Sequence, residues 1–174
     1  MVDNVYLGNP NLKKANTPIE FTEDQVKEFI RCQNDPVYFA RKYVKIVSLD
    51  EGLVPFQPYD FQEKLINNFH EHRFNICKMP RQTGKSTTVV SYLLHYAVFN
   101  DSVNIGILAN KAATARELLG RLQTAYENLP KWMQQGIIAW NKGSLELENG
   151  SKICLLYTSP SPRDYAASRM PSSA

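Results

Sequence analysis

The chain has 174 residues, 43% of them hydrophobic and 21% charged, a balance that fits a globular domain with a sizeable core and excludes an intrinsically disordered chain. No apolar run reaches the roughly 18 residues of a membrane-spanning helix, and no basic start followed by an apolar stretch marks a secretory signal, so neither is expected. The net charge of +3 permits a polyanionic partner without requiring one, and Cys32, Cys77 and Cys154, with no C-x-x-C pair among them, exclude a zinc site or disulfide scaffold and read as buried, reduced thiols.

Residues 1–20 are rich in Asn, Pro and Lys without an apolar period and are expected to form a flexible arm; Lys13 and Lys14 are too small a patch for a DNA site. Thr22 to Gln25 has capping-box spacing, with Glu23 and Asp24 in the first turn, and predicts a short helix with Val26, Phe29 and Ile30 on one face. Asp35 and Pro36 supply an N-cap and a first-turn proline for a second helix ending near Tyr43, and residues 44–49 are strand-like. Pro58 opens a helix with Phe61, Leu65, Ile66 and Phe69 as its apolar face. A strand over 74–79, a loop over 80–84 and a helix over 85–99 follow, with Val89, Val90, Leu93, Leu94 and Ala97 inward. Residues 103–109 read as a buried parallel strand, and Asn110 as the cap of a long helix carrying Leu118, Leu119, Leu122 and Tyr126. This strand–helix alternation predicts an α/β fold with a parallel sheet covered by helices. Three short strands over 137–141, 144–148 and 151–156 come next, with Asn149-Gly150 as a two-residue hairpin turn, expected as an antiparallel edge or insertion beside the parallel sheet. The Ser/Pro/Arg-rich stretch 157–174 resembles translated sequencing-adapter DNA; it is expected to be disordered and non-native, with the natural chain continuing differently after about Ile153.

The chemistry concentrates between Met79 and Ser86, which match G-x-x-x-x-G-K-[ST] at every fixed position except the first, where Met79 replaces glycine. Gly84 permits the tight turn that aims successive N–H groups at phosphate oxygens, Lys85 places a cation against the β- and γ-phosphates, and Ser86 supplies a hydroxyl for Mg²⁺. The helix that begins there turns its positive dipole end to the same place. Arg81, inside the loop, can reach a γ-phosphate, and Gln62, early in the preceding helix, can donate to and accept from an adenine edge at once.

Several ordered blocks then resemble one family, the large terminase subunit of tailed bacteriophages: "FQPYDFQEKLI", "KMPRQTGKST", "NIGILANKAATARELL", "LPKWMQQGIIAWNKGSLELENGSKI" and the lead-in "NDPVYFARKYVKI". A P-loop without its first glycine and with an arginine inside is itself typical of that family. The resemblance implies a RecA-like P-loop ATPase fold, incomplete at its C-terminal end. It implies ATP and Mg²⁺ as cofactors, held by Gln62, Pro80, Arg81, Gln82, Thr83, Gly84, Lys85, Ser86 and Thr87, with Ser86 toward the metal and Lys85 and Arg81 catalytic. It implies double-stranded viral DNA, a portal ring and a small terminase subunit as partners, no membrane, ring assembly on the portal, and a place in the host cytoplasm docked on the procapsid. The block 109–116, with Lys111 and Arg116, would then lie near the face that couples hydrolysis to DNA movement.

The layout read from these signals is an arm over 1–20, a helical lead-in over 21–55, a partial ATPase domain over 56–156 and the tail over 157–174. No apolar strand ending in acidic residues follows the P-loop, and Glu146 and Glu148, alternating on a hairpin strand, do not read as the catalytic base. The nuclease domain expected in a full-length terminase is absent. A helicase-type ATPase, and a truncated nucleotide- or partner-binding remnant, are the alternatives. His70 and His72 lack a third ligand, His95 reads as a surface or half-buried helix residue, and Trp132 and Trp140 read as core packing.

Overall fold

A computed structural model of the chain describes residues 4–48, 50–109 and 111–157. These hold eight strands and five helices, an α/β arrangement with a mixed sheet.

The N-terminal arm is the first departure from expectation. Strands β1 (Val5–Tyr6) and β2 (Asn9–Lys13) pair as an antiparallel hairpin, and Leu12 is buried. The buried Gln134 side chain ties this hairpin to the body. Its Nε2 donates to the carbonyls of Asn11, Leu129 and Tyr126, and its Oε1 accepts from the Lys13 N–H. Composition alone suggests a loose arm, because the partner that satisfies these backbone groups lies more than a hundred residues away. Replacing Gln134 with Ala removes all four bonds at once, two of them to carbonyls in buried surroundings, and the expected loss is about 2–4 kcal/mol in a urea titration. A loss below about 0.5 kcal/mol, the range of an ordinary surface change, would show that the arm is held by other contacts.

The lead-in helices form where local chemistry starts them. Helix α1 (Glu23–Asn34) carries the reciprocal box: Gln25 N–H donates to Thr22 Oγ1 at 3.3 Å, and Thr22 N–H donates to Gln25 Oε1 at 3.1 Å. Helix α2 (Pro36–Tyr43) is capped by Asp35, whose Oδ1 accepts from the Tyr38 N–H. The face of α1 turns out otherwise than its apolar pattern suggests. Val26 and Ile30 are exposed, and the helix docks through Phe29 and the buried Cys32, with the Phe29 ring 4.8 Å from that of Phe99. Glu28 joins the two helices by accepting from Lys42 Nζ, Tyr38 Oη and Tyr43 Oη; these bonds, the lysine's foremost, hold its carboxyl below the usual range.

Strands β3 (Lys45–Ser48) and β4 (Gly52–Pro55) make a separate antiparallel hairpin, the second strand of which has no clear sequence signal. Helix α3 (Asp60–Glu71) buries Gln62, Leu65 and Ile66, so its inward stripe is rotated by one residue and Phe61 is exposed. Helices α4 (Lys85–Phe99) and α5 (Ala112–Glu127) pack on one another, with Val90, Leu94, Ala97, Leu119, Leu122 and Tyr126 in the common core. The cap assigned to Asn110 lies outside the described residues.

The main sheet runs β5 (Asn104–Ala109), β8 (Lys152–Tyr157), β7 (Ser144–Leu147), β6 (Ile137–Trp140) in spatial order. Only β5 and β8 are parallel; β8–β7 and β7–β6 are antiparallel, so the hairpin strands form the antiparallel edge expected of them, joined to β5 through β8. The Asn149-Gly150 turn joins β7 to β8 with Gly150 at φ +80°, but the pairing of Glu146 with Lys152 leaves Glu148, Asn149 and Gly150 between the strands, one residue more than the expected two-residue turn. Trp132 and Trp140 are partly buried against the core, edge-on to Tyr43 and tilted against Tyr126 respectively.

The strand expected over 74–79 does not form. Phe74 is 83% exposed and Ile76 fully so, and Cys77 is exposed rather than buried. Its apolar character suits a strand covered on both faces, but a strand exists only where another supplies its ladder partners, and none lies beside it among the described residues.

His95 is also placed otherwise than expected. It is 2% exposed, its Nε2 donates to the Cys32 carbonyl at 2.8 Å, and it is ringed by Phe39, Phe99, Tyr92 and His70. Helical position alone leaves its burial open; the docking of α1 and α2 onto α4 decides it. Burial first, then the nearby His70, pushes its pKa down from 6.5 to about 4. The unfolded chain therefore binds more protons than the folded one between those values, and stability falls as pH drops through the window. The expected loss is about 2 kcal/mol between about pH 7.5 and 5. The His95→Gln variant should show a flatter pH dependence of its urea midpoint; an unchanged slope would place the titration elsewhere.

Candidate functional site

The segment from Met79 to Ser86 sits where an exposed, unpaired stretch of chain turns into the first turn of α4. Gly84 is the N-cap of that helix at φ +72°, ψ +15°, and Gln82 also lies in the left-handed region at φ +62°. Glycine adopts this geometry freely; for Gln82 it costs about 1–2 kcal/mol, a strain the surrounding loop must hold. Two side chains brace the loop from within. Thr83 Oγ1 donates to the Pro80 carbonyl at 3.1 Å, and Lys85 Nζ donates to the carbonyls of Met79 and Pro80, both at 2.8 Å.

The start of α4 is left open. The Gly84 carbonyl accepts from the Thr88 N–H at 3.0 Å and from Thr88 Oγ1 at 3.1 Å, and no side chain caps the helix. The N–H groups of Lys85, Ser86 and Thr87 precede the first intrahelical donor and carry the positive end of the helix dipole. Ser86 is exposed, as are Pro80, Arg81 and Gln82, while Thr83, Gly84, Lys85 and Thr87 are half-buried. An exposed hydroxyl one residue after an ammonium, at an uncapped helix start, is a donor set that fits a phosphate with its hard cation.

Beside the loop lies an open cleft of about 520 Å³, walled by Ile46 and Phe56 from the β3–β4 side, by Tyr59 and Phe61 at the start of α3, and by Thr83 and Gly84. The Tyr59 and Phe61 rings are stacked, 10° apart in plane and 5.8 Å between centroids, and both are exposed. Gln62 is 3% exposed, and its amide spans the gap between α3 and the loop. Its Oε1 accepts from the Tyr59 N–H at 2.9 Å, and its Nε2 donates to the Thr83 carbonyl at 3.2 Å. A Cβ on Gly84 would stand 2.5 Å from that Nε2, so the amide fills the space a side chain there would need. A second cavity, of about 490 Å³, lies between β3, α4 and α5, with apolar walls at Val44, Val90 and Ala125 and with Lys45, Glu117 and Arg121 also lining it.

The structure thus brings Gln62, Gln82, Thr83, Gly84 and Thr87 to one cleft, with Lys85 and Ser86 next in the chain. Lys111 and Arg116, at the start of α5, are exposed and do not line it. Glu146 forms an ion pair with Lys152 at 3.1 Å and Glu148 accepts from the Asn16 N–H, both away from the cleft. Among the described residues no group of three or more His, Cys, Asp and Glu side chains is placed to hold a metal. Sequence reading missed the Tyr59–Phe61 pair, although its signal, two aromatics flanking the start of a helix next to Gln62, was present. The Ile46 and Phe56 wall has no local signal, because the β3–β4 hairpin brings it there.

A protein-family model described as the terminase large subunit, T4-like virus type, N-terminal region, matches residues 76–170, more than half of the chain.

Proposed function

Because the chain belongs to the large terminase subunit family, a component of the motor that packages phage DNA, we propose that its loop and cleft bind ATP with Mg²⁺, the step that drives DNA translocation in the complete protein. The observation that carries this reading is the uncapped start of α4, with Lys85 Nζ folded over the carbonyls of Met79 and Pro80. An arriving phosphate offers that ammonium a better acceptor than two neutral carbonyls, and offers the free N–H groups of the first turn an anion. Pro80, Arg81, Gln82, Thr83 and Thr87 would line the phosphate end of the site, Lys85 would supply a cation to the phosphates, and Ser86 would offer its hydroxyl to Mg²⁺. Mg²⁺ would supply charge neutralisation between phosphate oxygens. Tyr59 and Phe61, whose exposed rings are stacked, would offer the base a flat aromatic face.

No carboxylate lines the cleft among the described residues, and this favours binding over turnover by these residues alone. Arg81 and Lys85 supply electrostatic support to a γ-phosphate, but activation of water needs a base. DNA and packaging partners follow from the family in general terms; the portal ring, the small subunit, assembly as a ring and the place on the procapsid in the host cytoplasm are proposals. The test is Mg·ATP binding by the chain and by its Lys85→Ala variant, by titration calorimetry. Equal affinity in the two would refute the assignment.

A further inference from the structure

The cavity between β3, α4 and α5 has one wall residue that the fold does not explain. Its volume of about 490 Å³ falls within the range of small-ligand pockets, about 300–1,000 Å³, whereas a close-packed interior leaves few voids larger than a water molecule. Val44, Val90 and Ala125 make a buried apolar floor, and the exposed Val47 lines the cavity as well. Gly120, in the middle of α5, belongs to the same wall. Glycine suits a helix interior poorly, because it loses the most backbone entropy on folding. It is commonly kept in a helix where a neighbouring segment crosses too close for a side chain. At Gly120 the reverse holds, since a Cβ there would meet no atom within 4 Å. The missing side chain leaves room that nothing among the described residues fills.

The charges around the cavity select the kind of ligand. Lys45, Glu117 and Arg121 line it together with the apolar floor. Glu117 is engaged by Arg121 one helical turn away, its Oε1 accepting from Nη2 at 2.6 Å. Lys45 makes no ion pair among the described residues. Two cations against one carboxylate leave the wall net positive, and the guanidinium keeps further N–H donors on its fork. A molecule that buries an apolar body and turns a negative group toward Lys45 and Arg121 satisfies both halves of the wall, while a cation meets like charge. We propose that this cavity is a second binding site, for a small apolar molecule carrying one acidic group, and that Gly120 is the position that gives it room. The site is separate from the phosphate cleft, with which it shares only Ile46 and Thr87 as lining residues.

The probe is anilinonaphthalene sulfonate, an aromatic monoanion that fluoresces in apolar surroundings, titrated into the 174-residue chain at neutral pH. Gly120→Leu puts a side chain into the room and is expected to weaken the probe about tenfold, and Lys45→Glu, which reverses the unpaired charge, by a similar factor. Ile76→Ser, at an exposed apolar residue elsewhere on the surface, is expected to bind the probe as wild type does. Phenylbutyrate should displace the probe, and phenylbutylamine at the same concentration should not. Gly120→Ala, which adds only a methyl group, should raise the melting temperature by about 2–4 °C, the gain of a better helix former with nothing to strike. Wild-type affinity in Gly120→Leu would overturn the site, as would a loss confined to Ile76→Ser. Equal displacement by the amine would overturn the assignment of an acid. A lower melting temperature for Gly120→Ala would show that glycine is there for packing and not for room. If Gly120→Leu fails to melt cooperatively, Lys45→Glu, at an exposed strand position, carries the comparison.

Discussion

The Lys85→Ala chain is expected to bind Mg·ATP about 100-fold more weakly than wild type while melting within a degree or two of it. The ammonium makes two hydrogen bonds of 2.8 Å, to the carbonyls of Met79 and Pro80. In the proposed nucleotide complex it would exchange them for phosphate oxygens, where both partners are charged, and hydrogen bonds to charged groups contribute about 1.5–3 kcal/mol each. A net loss near 3 kcal/mol corresponds to about 100-fold in affinity. Stability changes little, because the loop is largely exposed and the released carbonyls meet water. The two readouts separate the possibilities: weak binding with a normal melt supports the site, weak binding with a collapsed melt reports misfolding, and unaltered binding removes Lys85 from it.

The largest stability effect is expected at Phe39, whose replacement by Ala should cost about 3–5 kcal/mol in urea denaturation. Phe39 has no exposed surface, and its ring lies 5.4 Å from those of both His95 and Phe99, edge-on to each, and 6.3 Å from that of Tyr43. It is the knot by which α2 is joined to α4, the helix that begins at Lys85. Because rigid helices surround it, the vacated volume cannot close up, and the cavity adds to the lost transfer energy. Whole domains are stable by only about 5–15 kcal/mol, so the variant should be near its unfolding threshold at 37 °C. Tyr96→Ala, on the same helix but 38% exposed, should cost far less. If Phe39→Ala instead unfolded in two separated steps, the lead-in helices and the body would not share one core, contrary to the single buried cluster that links them.

Structure specified by neighbours in the chain can be read from the residues alone. Thr22 with Gln25, Asp35 with Pro36, and Asn149 with Gly150 set helix starts and a turn through bonds spanning three residues or fewer, and each forms where its pattern predicts. The loop from Met79 to Ser86 belongs to the same class, since Gly84 and the helix start that follows it are a local arrangement. The tertiary structure decided what depends on distant partners. It made the sheet mixed by laying β8 parallel to β5, left residues 74–79 without a strand to pair with, bound the N-terminal hairpin to Gln134, and buried His95 under α1 and α2. It also turned α3 so that Gln62, and not Phe61, faces inward, which a 3.6-residue period with apolar groups at both positions leaves open. Hydrogen bonds within a turn are satisfied wherever the chain goes; ladder partners, buried polar contacts and the choice between two adjacent faces exist only once remote segments meet.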